Sequence, residues 1–404
     1  MIKAAIMGFG TIGSGVAEVL DINKKSIAAR VGDEVELKYV LDLRDFEGDP
    51  IQSKIVHDYK VIAEDPEVSI VVETMGGVEP AYTFVKTMLE AGKHVTTSNK
   101  ALVAAKGAEL IALAKEKNVN FMFEASVGGG IPIIRPLVEC LGGEEILEIS
   151  GILNGTTNYI LTKMNEEGWS FEEALKRAQE LGYAERNPEA DIEGYDTCRK
   201  IAILTAVATG KEVNYEEIPT QGITKITSMD SSYAAHMGAA IKLFGTSVNK
   251  DGKIYLEVAP VLVDAKDPLY AVTDVFNGIL VVGNMLGASM FYGSGAGKLP
   301  TASAVVGDMI SAVRFGDEPE KIGWSSEKLE VHPAAELSRK YFARFEGSER
   351  AKKEAVAAAF GDVKFVTLEG TDEFAVLTGE MTGGEFDSAA AKVGGLRQKI
   401  AARL

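Results

Sequence analysis

The sequence predicts an α/β fold: a doubly wound parallel sheet of the Rossmann type, a second α+β domain, and a small ferredoxin-like domain at the C-terminal end. In residues 1–130, apolar runs of strand length alternate with helical patterns, which is typical of a parallel sheet. After Leu141 the strands are grouped, and the tail follows the order βαββαβ. We expect domains at 1–130 (completed by about 290–320), 131–290 and 335–404.

The composition excludes several classes of protein. A chain of 404 residues is too long for one ordinary core, and its 46% hydrophobic and 25% charged residues are typical of a globular protein. The formal net charge of -17 argues against nucleic acid or an anionic membrane as the main partner, since both require a positive surface. A small-molecule substrate is therefore expected.

The few cysteines and histidines show no pattern of a structural cross-link. Cys140 and Cys198 are too few for a disulfide framework, and the histidines lack zinc-ligand spacing; they are His57, His94, His236 and His332. The first apolar run is too short for a signal peptide core, and no run approaches the length that spans a bilayer. We expect a cytoplasmic protein.

A glycine-rich turn follows the first predicted strand, Ile2–Met7, and leads into a helical pattern that continues to Leu20. In this GFGTIG sequence the three glycines would permit a tight turn, the approach of a pyrophosphate, and close packing of helix on strand. The strand before and the helix after favour a dinucleotide site over a purely structural turn. The residues expected at the cofactor are Gly8, Gly10, Thr11, Ile12 and Gly13.

An acidic residue ends the second predicted strand, Val35–Leu41. Asp42 would accept hydrogen bonds from a ribose 2′-hydroxyl and favour NAD, whereas Arg44 would meet the 2′-phosphate of NADP. Asp42 lies 29 residues after Gly13, beyond the usual spacing of about 20. The choice between NAD and NADP stays open.

Polar residues follow three further predicted strands, at 69–73, His94–Thr97 and 119–123. Ligands of open parallel sheets lie beyond the carboxyl ends of the strands, where Thr74, Lys100 and Glu124 stand. Thr74 is expected near the cofactor. A surface lysine is the alternative for Lys100, but the helix dipole disfavours a cation at a helix start, so a ligand role is favoured.

Two glycine-rich loops lie outside this pattern. The first, EASVGGGIPII from Glu124, would present bare carbonyls to a monovalent or divalent cation, and a loop joining two domains is the alternative. The second, at 292–302, precedes a helix predicted at 303–313. It would approach the cofactor, serve as a crossover between domains, or do both.

The segment 181–204 crowds acids and a lysine against an apolar helical run. Four of its five acids are candidates for a site together with the lysine; the candidates are Glu185, Glu189, Asp191, Asp196 and Lys200. Asp196 and Lys200 are four residues apart and so share a helix face, where they would hold a zwitterionic substrate and move a proton. A solvated helix start with an ordinary ion pair is the alternative.

Grouped strands mark the second domain. Strands are expected at 146–153, 255–263 and 274–282, and Asn154 is a ready helix cap. An antiparallel or mixed sheet with an apolar face would favour a homodimer or homotetramer. In the tail, the expected elements are strand 340–345, helix 348–360, strand 363–368, strand 373–378 and helix 385–393.

Taken together, several motifs resemble the homoserine dehydrogenase family over about residues 1–315. They are GFGTIG, ETMGG, TSNKALVA, EASVGGGIPII, GILNGTTNYIL, GYAERNPEADIEGYDTCRK and GAGKLPTASAVVGD. The resemblance implies reduction of L-aspartate 4-semialdehyde to L-homoserine with NADPH or NADH, in the pathway to threonine, methionine and isoleucine.

The resemblance also implies residue roles. Lys200 would exchange the proton at the substrate oxygen, with Lys100 between substrate and cofactor. Glu185, Asp191 and Asp196 would bind the substrate, and Gly295 and Gly297 would border the nicotinamide. A sodium or potassium ion would be held by Glu124 with the carbonyls of Val127, Gly129 and Ile131.

The tail is similar to the ACT regulatory domain found in many bacterial members. It has Phe345-Glu-Gly-Ser-Glu349 where an effector-binding Asp-x-Pro-Gly-Val loop is usual, so feedback inhibition by threonine does not follow. Two other classes stay in view: a different Rossmann oxidoreductase, and a non-catalytic amino-acid sensor that uses the tail.

Overall fold

The computed structural model describes residues 1–316, 318 and 322–404. Its chain divides into two compact units. The first comprises 1–144, 202–215 and 293–329, and the second comprises 145–201, 216–292 and 330–404. Among the described residues, no helix is both long enough and apolar enough to cross a bilayer.

The α-helices are numbered in chain order. They are α1 (Thr11–Ile22), α2 (Lys24–Val31), α3 (Lys60–Glu64), α4 (Ala81–Glu90), α5 (Lys100–Glu116), α6 (Gly155–Glu167), α7 (Phe171–Glu180), α8 (Glu189–Ile192), α9 (Tyr195–Thr209), α10 (Ser228–His236), α11 (Lys298–Phe315), α12 (Glu349–Phe360) and α13 (Gly383–Val393).

The β-strands are numbered in the same way. They are β1 (Ile2–Met7), β2 (Val35–Leu41), β3 (Ile55–Val56), β4 (Val68–Glu73), β5 (His94–Thr97), β6 (Phe121–Met122), β7 (Ile146–Ile152), β8 (Ala239–Lys250), β9 (Lys253–Asp264), β10 (Phe276–Gly283), β11 (Gly287–Ser294), β12 (Val331–Pro333), β13 (Lys340–Glu346), β14 (Lys364–Val366), β15 (Glu373–Leu377) and β16 (Leu396–Arg403).

The first unit is built on a six-stranded sheet in the order β3-β2-β1-β4-β5-β6. Its strand pairs are parallel. The order reverses between β1 and β4, the switch point at which Rossmann sheets bind dinucleotides. The predictions for β1, β2 and β5 are confirmed to the residue, and each strand is a short run that contains apolar or β-branched residues.

The core of this unit lies between the sheet and helices α1, α2 and α11. Ile6, Val40 and Val72 of the sheet are fully buried and belong to the same cluster as Val305 and Met309 of α11. Helices α1 and α11 approach closely at Gly15, where a Cβ would lie 2.9 Å from the Lys298 carbonyl oxygen. This packing holds the start of α1 at the edge of the sheet where the strands end.

The second unit contains a ten-stranded mixed sheet, in the order β11-β10-β7-β8-β9-β16-β13-β15-β14 with β12 beside β9. The α+β class expected for this part is confirmed. Strands β8 and β11 were not predicted from the sequence. Lys242 and Gly245 interrupt the apolar pattern of β8, although both are buried, and glycines begin and end the pattern of β11.

The tail belongs to this same unit and sheet. Its elements β13, α12, β14, β15, α13 and β16 follow the predicted βαββαβ order, and its strands pair as β16-β13-β15-β14. Phe345 and Phe374 of the strands pack in one core with Phe386 of α13 and Val356 of α12. Strand β16 also pairs in parallel with β9, which joins the tail to the preceding sheet.

Candidate functional site

The turn between β1 and α1 depends on two of its three glycines for its own shape. Gly8 has a φ of +94°, and a Cβ on Gly13 would lie 2.0 Å from the Gly8 carbonyl oxygen. Among the described residues, nothing lies within 4 Å of a Cβ placed on Gly10. The open space beside Gly10 is where the pyrophosphate was expected to approach the backbone.

The start of α1 is a suitable site for an anion. Gly10 caps the helix without a side-chain hydrogen bond, and the first turn carries no acid. Backbone N–H groups at a helix start have no partner within the helix, so those of Thr11, Ile12 and Gly13 can face a phosphate. The sequence-predicted group is therefore assembled at one helix end.

Asp42 and Arg44 form a compact pair at the end of β2. The Asp42 carboxylate accepts hydrogen bonds from Phe9 N at 2.8 Å and from Arg44 Nε at 2.9 Å. The Arg44 guanidinium and the two backbone N–H donors hold the pKa of Asp42 well below its usual range. The Asp42 side chain is 9% exposed and that of Arg44 is 61% exposed, so the cation presents the larger surface.

Thr74 and Glu73 hold the loop that follows β4. Thr74 Oγ1 donates to the Gly8 carbonyl at 2.8 Å and so joins this loop to the glycine turn. The fully buried Glu73 carboxylate accepts from Met75 N at 2.7 Å and from Thr97 Oγ1 at 2.5 Å, and burial raises its pKa. Sequence reasoning treated Glu73 only as a strand end.

Lys100 is the first residue of α5. Its neighbour Asn99 caps the helix by accepting from Leu102 N at 3.1 Å, and Asn99 Nδ2 donates to the Gly77 carbonyl at 2.6 Å. Asn99 thereby ties the start of α5 to the loop after β4. Lys100 itself is half-buried.

The two glycine-rich loops of the first unit touch each other. A Cβ on Gly129, whose φ is +58°, would lie 2.3 Å from the Gly295 carbonyl oxygen, and Gly130 N donates to the Ser294 carbonyl at 3.0 Å. Gly297, with a φ of +109°, caps α11. Both loops are therefore shaped by backbone contact, which explains part of their glycine content.

Glu124 is buried among donors. Its carboxylate accepts from Ile133 N at 2.6 Å, Ile134 N at 2.7 Å and Arg135 N at 3.0 Å, and Arg135 Nε lies 3.3 Å away. Asp308 accepts from the Glu124 N–H at 2.8 Å. The side chain is thus committed to donors of the protein.

In the second unit, Lys200 is held in a buried ion pair on α9. Its Nζ lies 2.9 Å from Asp196 Oδ2 and donates to the Leu153 carbonyl at 2.7 Å. The side chains of Lys200 and Asp196 are 9% and 3% exposed. The predicted contact across one helix turn is present, and its burial disfavours the alternative of a solvated surface pair.

Asn154 links Asp196 to a second acid. Its Nδ2 lies 2.8 Å from Asp191 Oδ1 and 2.9 Å from Asp196 Oδ2, while its Oδ1 accepts from Thr157 N at the start of α6. Asp191, Asp196 and Lys200 are therefore brought together. The sequence indicated only the capping role of Asn154.

Glu185 lies apart from this hydrogen-bonded group. The residue is exposed, and its carbonyl accepts from Gln179 Nε2 at 3.1 Å. The turn before it is fixed by Thr156 Oγ1, which donates to the Tyr183 carbonyl at 2.6 Å. The two contacts of Lys200 described above, with Asp196 and with the Leu153 carbonyl, do not involve Glu185.

Comparison with known proteins gives a consistent result. The family model described as homoserine dehydrogenase matches residues 132–310, and the homoserine dehydrogenase NAD-binding domain matches 8–124. The chain is 42% identical over 318 residues to the homoserine dehydrogenase of Bacillus subtilis, an alignment that covers 78% of this chain and 73% of the relative.

Solved structures extend the likeness to the tail. The chain resembles a homoserine dehydrogenase from Thiobacillus denitrificans with a TM-score of 0.91 at 32% identity, covering 100% of this chain and 98% of that one. It resembles a hyperthermophilic archaeal homoserine dehydrogenase mutant in complex with NADPH with a TM-score of 0.67 at 31% identity, covering 78% and 99%.

Proposed function

The chain belongs to the homoserine dehydrogenase family, and from that membership we propose that Lys200 is the general acid and base of its reaction. The protein is an NAD(P)-dependent oxidoreductase that reduces L-aspartate 4-semialdehyde to L-homoserine. The observation that carries the proposal is the buried ammonium of Lys200, 2.9 Å from Asp196. Family membership also argues against the two other classes considered from the sequence.

The proposed proton transfer follows from the charge that develops on the substrate. When bound, the reduced nicotinamide supplies a hydride with its electron pair to the aldehyde carbon. The carbonyl oxygen becomes an alkoxide, and Lys200 Nζ donates the proton that makes it a hydroxyl. In the oxidative direction, the neutral amine takes that proton back. Asp196 compensates the ammonium charge at this buried position.

We assign the substrate ammonium to the acids of the same unit. Asn154 Nδ2 donates to the carboxylates of both Asp191 and Asp196, which holds the two acids close to each other. The exposed Glu185 would complete the set when substrate is bound. We assign Lys100 to a position between substrate and cofactor, because it begins α5 beside the loop that Asn99 holds.

We propose that the cofactor is bound at the start of α1 and that NADP is preferred to NAD. The support is the Asp42 carboxylate, which already accepts from Phe9 N and Arg44 and is thus poorly available to a ribose hydroxyl. The exposed guanidinium of Arg44 matches a 2′-phosphate. We also propose that the cofactor is contacted by the loops that contain Thr74, Gly295 and Gly297.

A monovalent cation is proposed at the main-chain carbonyls of Glu124, Val127, Gly129 and Ile131. Oxygen ligands suit hard cations, and the loop is tightly folded here: a Cβ on Gly128 would lie 2.5 Å from the Ile131 carbonyl oxygen. If sodium, potassium and tetramethylammonium buffers gave equal thermal stability and equal activity, this assignment would be wrong.

We propose that two copies associate through β11. This strand lies at one end of the sheet, and Met290 and Tyr292 on it are exposed, with Phe276 stacked 5.4 Å from Tyr292. Apolar edge strands favour pairing with another chain. Sedimentation compares the parent with the Tyr292→Lys variant. A dimeric parent and a monomeric variant would support this proposal, whereas the same association state for both would exclude β11 as the interface.

The functional division proposed from the sequence is retained. Residues 1–130 with about 290–320 would bind NAD(P), 131–290 would carry catalysis and dimerisation, and 335–404 would be an ACT-like domain. The enzyme would act in the cytoplasm, in the synthesis of threonine, methionine and isoleucine. Calorimetry with threonine tests the tail, because no binding would exclude threonine as its effector.

The experiment that tests the catalytic assignment compares Lys200→Ala with Lys176→Ala, an exposed lysine on α7 of the same unit. Loss of a general acid lowers kcat by at least about 10²-fold, so we expect that loss in the first variant with cofactor affinity little changed. The control should retain full turnover. Near-normal turnover of Lys200→Ala would exclude the proposed role.

A further inference from the structure

The side-chain amide of Asn154 makes hydrogen bonds through both its oxygen and its nitrogen. Its Oδ1 accepts from Thr157 N at 2.9 Å and so caps α6. Its Nδ2 donates to Asp191 at 2.8 Å and to Asp196 at 2.9 Å. The residue is 6% exposed, so these contacts are made away from bulk water. A cap and a bridge between two acids are thus combined in one amide.

Among the residues that cap helices well, only asparagine can make this set of contacts. Serine, threonine, aspartate and asparagine all accept at the cap. An amide nitrogen carries two hydrogens, one for each carboxylate, whereas a hydroxyl carries one and an aspartate carries none. An aspartate at 154 would also add a third negative charge beside Asp191 and Asp196. The identity of this residue is therefore explained by the acids and not by the cap.

The turn that contains Asn154 also contacts the proposed catalytic lysine through a main-chain carbonyl. The carbonyl of Leu153, one residue before Asn154, accepts from Lys200 Nζ at 2.7 Å, and Asp196 accepts from both Asn154 and Lys200. Fixing this turn therefore fixes the amine and the acids relative to each other. A shift of the turn would move all three groups.

We propose that Asn154 is a positioning residue that holds Asp191, Asp196 and, through the Leu153 carbonyl, Lys200 in the geometry the reaction needs. This inference rests on the proposed function of those three groups. Asn154 acts through them and is not itself assigned to the substrate. Hydrogen bonds to charged groups are among the stronger ones in proteins, so loss of the bridge should be measurable in the kinetics.

The test separates the bridge from the cap. Asn154→Ser keeps a capping oxygen and loses the bridge, and Asn154→Asp keeps cap and size but replaces the donors by a charge. Ser170→Ala is the matched control, because Ser170 caps α7 of the same unit without contact to these acids. Thermal stability, nucleotide affinity, and kcat and KM for homoserine are measured for each.

We expect Asn154→Ser to lower kcat/KM for homoserine about 10-fold to 100-fold, through both a higher KM and a lower kcat, with nucleotide affinity unchanged. Asn154→Asp should be worse. Ser170→Ala should lower only the melting temperature. If both Asn154 variants keep kcat/KM within about twofold of the parent, Asn154 is merely a cap.

A double-variant cycle keeps the inference testable if stability falls. In an Asp191→Ala background, Asn154→Ser should cost less than in the parent, because one of the two acceptors of the Asn154 amide is already gone. Costs that simply add would overturn the inference. The Lys200→Ala variant reports separately on the proposed function: an active Lys200→Ala refutes that function, whereas an inactive one beside unaffected Asn154 variants refutes only the positioning role.

Discussion

The guanidinium of Arg44 meets the carboxylate of Asp42 at two points, with Nε 2.9 Å from Oδ1 and Nη2 3.0 Å from Oδ2. Nη2 also donates to the Phe9 carbonyl at 3.0 Å, within the glycine turn. The pair thus connects the end of β2 to the cofactor loop. It orients an exposed cation beside the expected position of the cofactor ribose.

Replacing Arg44 by alanine should weaken NADPH more than NADH. A charge-assisted hydrogen bond contributes about 1.5–3 kcal/mol, so we expect NADPH affinity to fall about tenfold or more while NADH affinity changes little. Titration of both nucleotides measures this. Arg30→Ala, an exposed arginine on α2, is the control. Equal loss for both nucleotides would contradict a contact with the 2′-phosphate.

Alanine at Gly10 and at Gly13 should have different effects. At Gly13 the Cβ would lie 2.0 Å from the Gly8 carbonyl oxygen, so the turn must shift and the melting temperature should fall. At Gly10 the Cβ meets no described residue within 4 Å, so stability should be retained while nucleotide affinity falls. Full nucleotide affinity in a stable Gly10→Ala variant would show that the cofactor does not approach there.

Lys242 should make stability depend on alkaline pH. Burial lowers its pKa from 10.5 to about 8, and its Nζ donates to the Val272 carbonyl at 2.6 Å. Below about pH 8 the lysine is charged in both the folded and the unfolded protein. The folded protein then carries the full cost of burying the ammonium, of the order of 3 kcal/mol. The penalty is relieved as the pH rises from about 8 to 10.5, because the folded state loses its proton first.

Urea unfolding across this range measures the effect. The stability of the parent should rise relative to that of Lys242→Met as the pH increases from about 8 to 10.5. Lys250→Met, an exposed lysine at the end of the same strand, should leave the pH dependence of the parent unchanged. Parallel curves for the parent and Lys242→Met would mean that Lys242 is not desolvated in solution.

Arg344 should be a large contributor to the stability of the second unit. Its guanidinium lies 2.7 Å from Asp230 of α10 and 2.6 Å from Glu373 of β15, and its side chain is 8% exposed. Removing one partner of a buried pair leaves the other charge uncompensated, which costs about 3–5 kcal/mol. Arg344→Ala should lose about that much in urea unfolding. The double variant Arg344→Ala with Asp230→Asn should recover part of the lost free energy of unfolding. Arg350→Ala is the control: Arg350 is exposed on α12, and its loss should change the free energy of unfolding little.

The parallel sheet could be predicted from the sequence because its strands are short runs rich in apolar and β-branched residues, bounded by polar or glycine-containing segments. The last four residues of β1 are all buried, which is typical of a strand covered on both faces, and a glycine turn follows the strand. The pattern of β8 does not have this simplicity. Its Lys242 is buried, and the Nζ donates to the Val272 carbonyl, a tertiary contact that partly compensates for the burial. Such a contact is invisible to a pattern along the chain.

The candidate site was predictable to a similar extent. The contact between Asp196 and Lys200 follows from helical spacing, and the structure contains it. The bridge from Asn154 to Asp191 spans many residues and depends on how α6 and α8 meet, so it could not be read from local spacing. Glu73 was overlooked for the same reason, since Thr97, one of its partners, lies on a neighbouring strand.

Strand β16 occupies an interior place in the ten-stranded sheet, with β9 on one side and β13 on the other. During synthesis on the ribosome, β9 emerges long before Leu396–Arg403, so its stretch 261–263, which pairs with β16, lacks that partner in the interval. The second unit therefore cannot complete this part of its sheet until β16 is made. A chaperone that shields open strand edges would be of most use to the nascent chain during this interval.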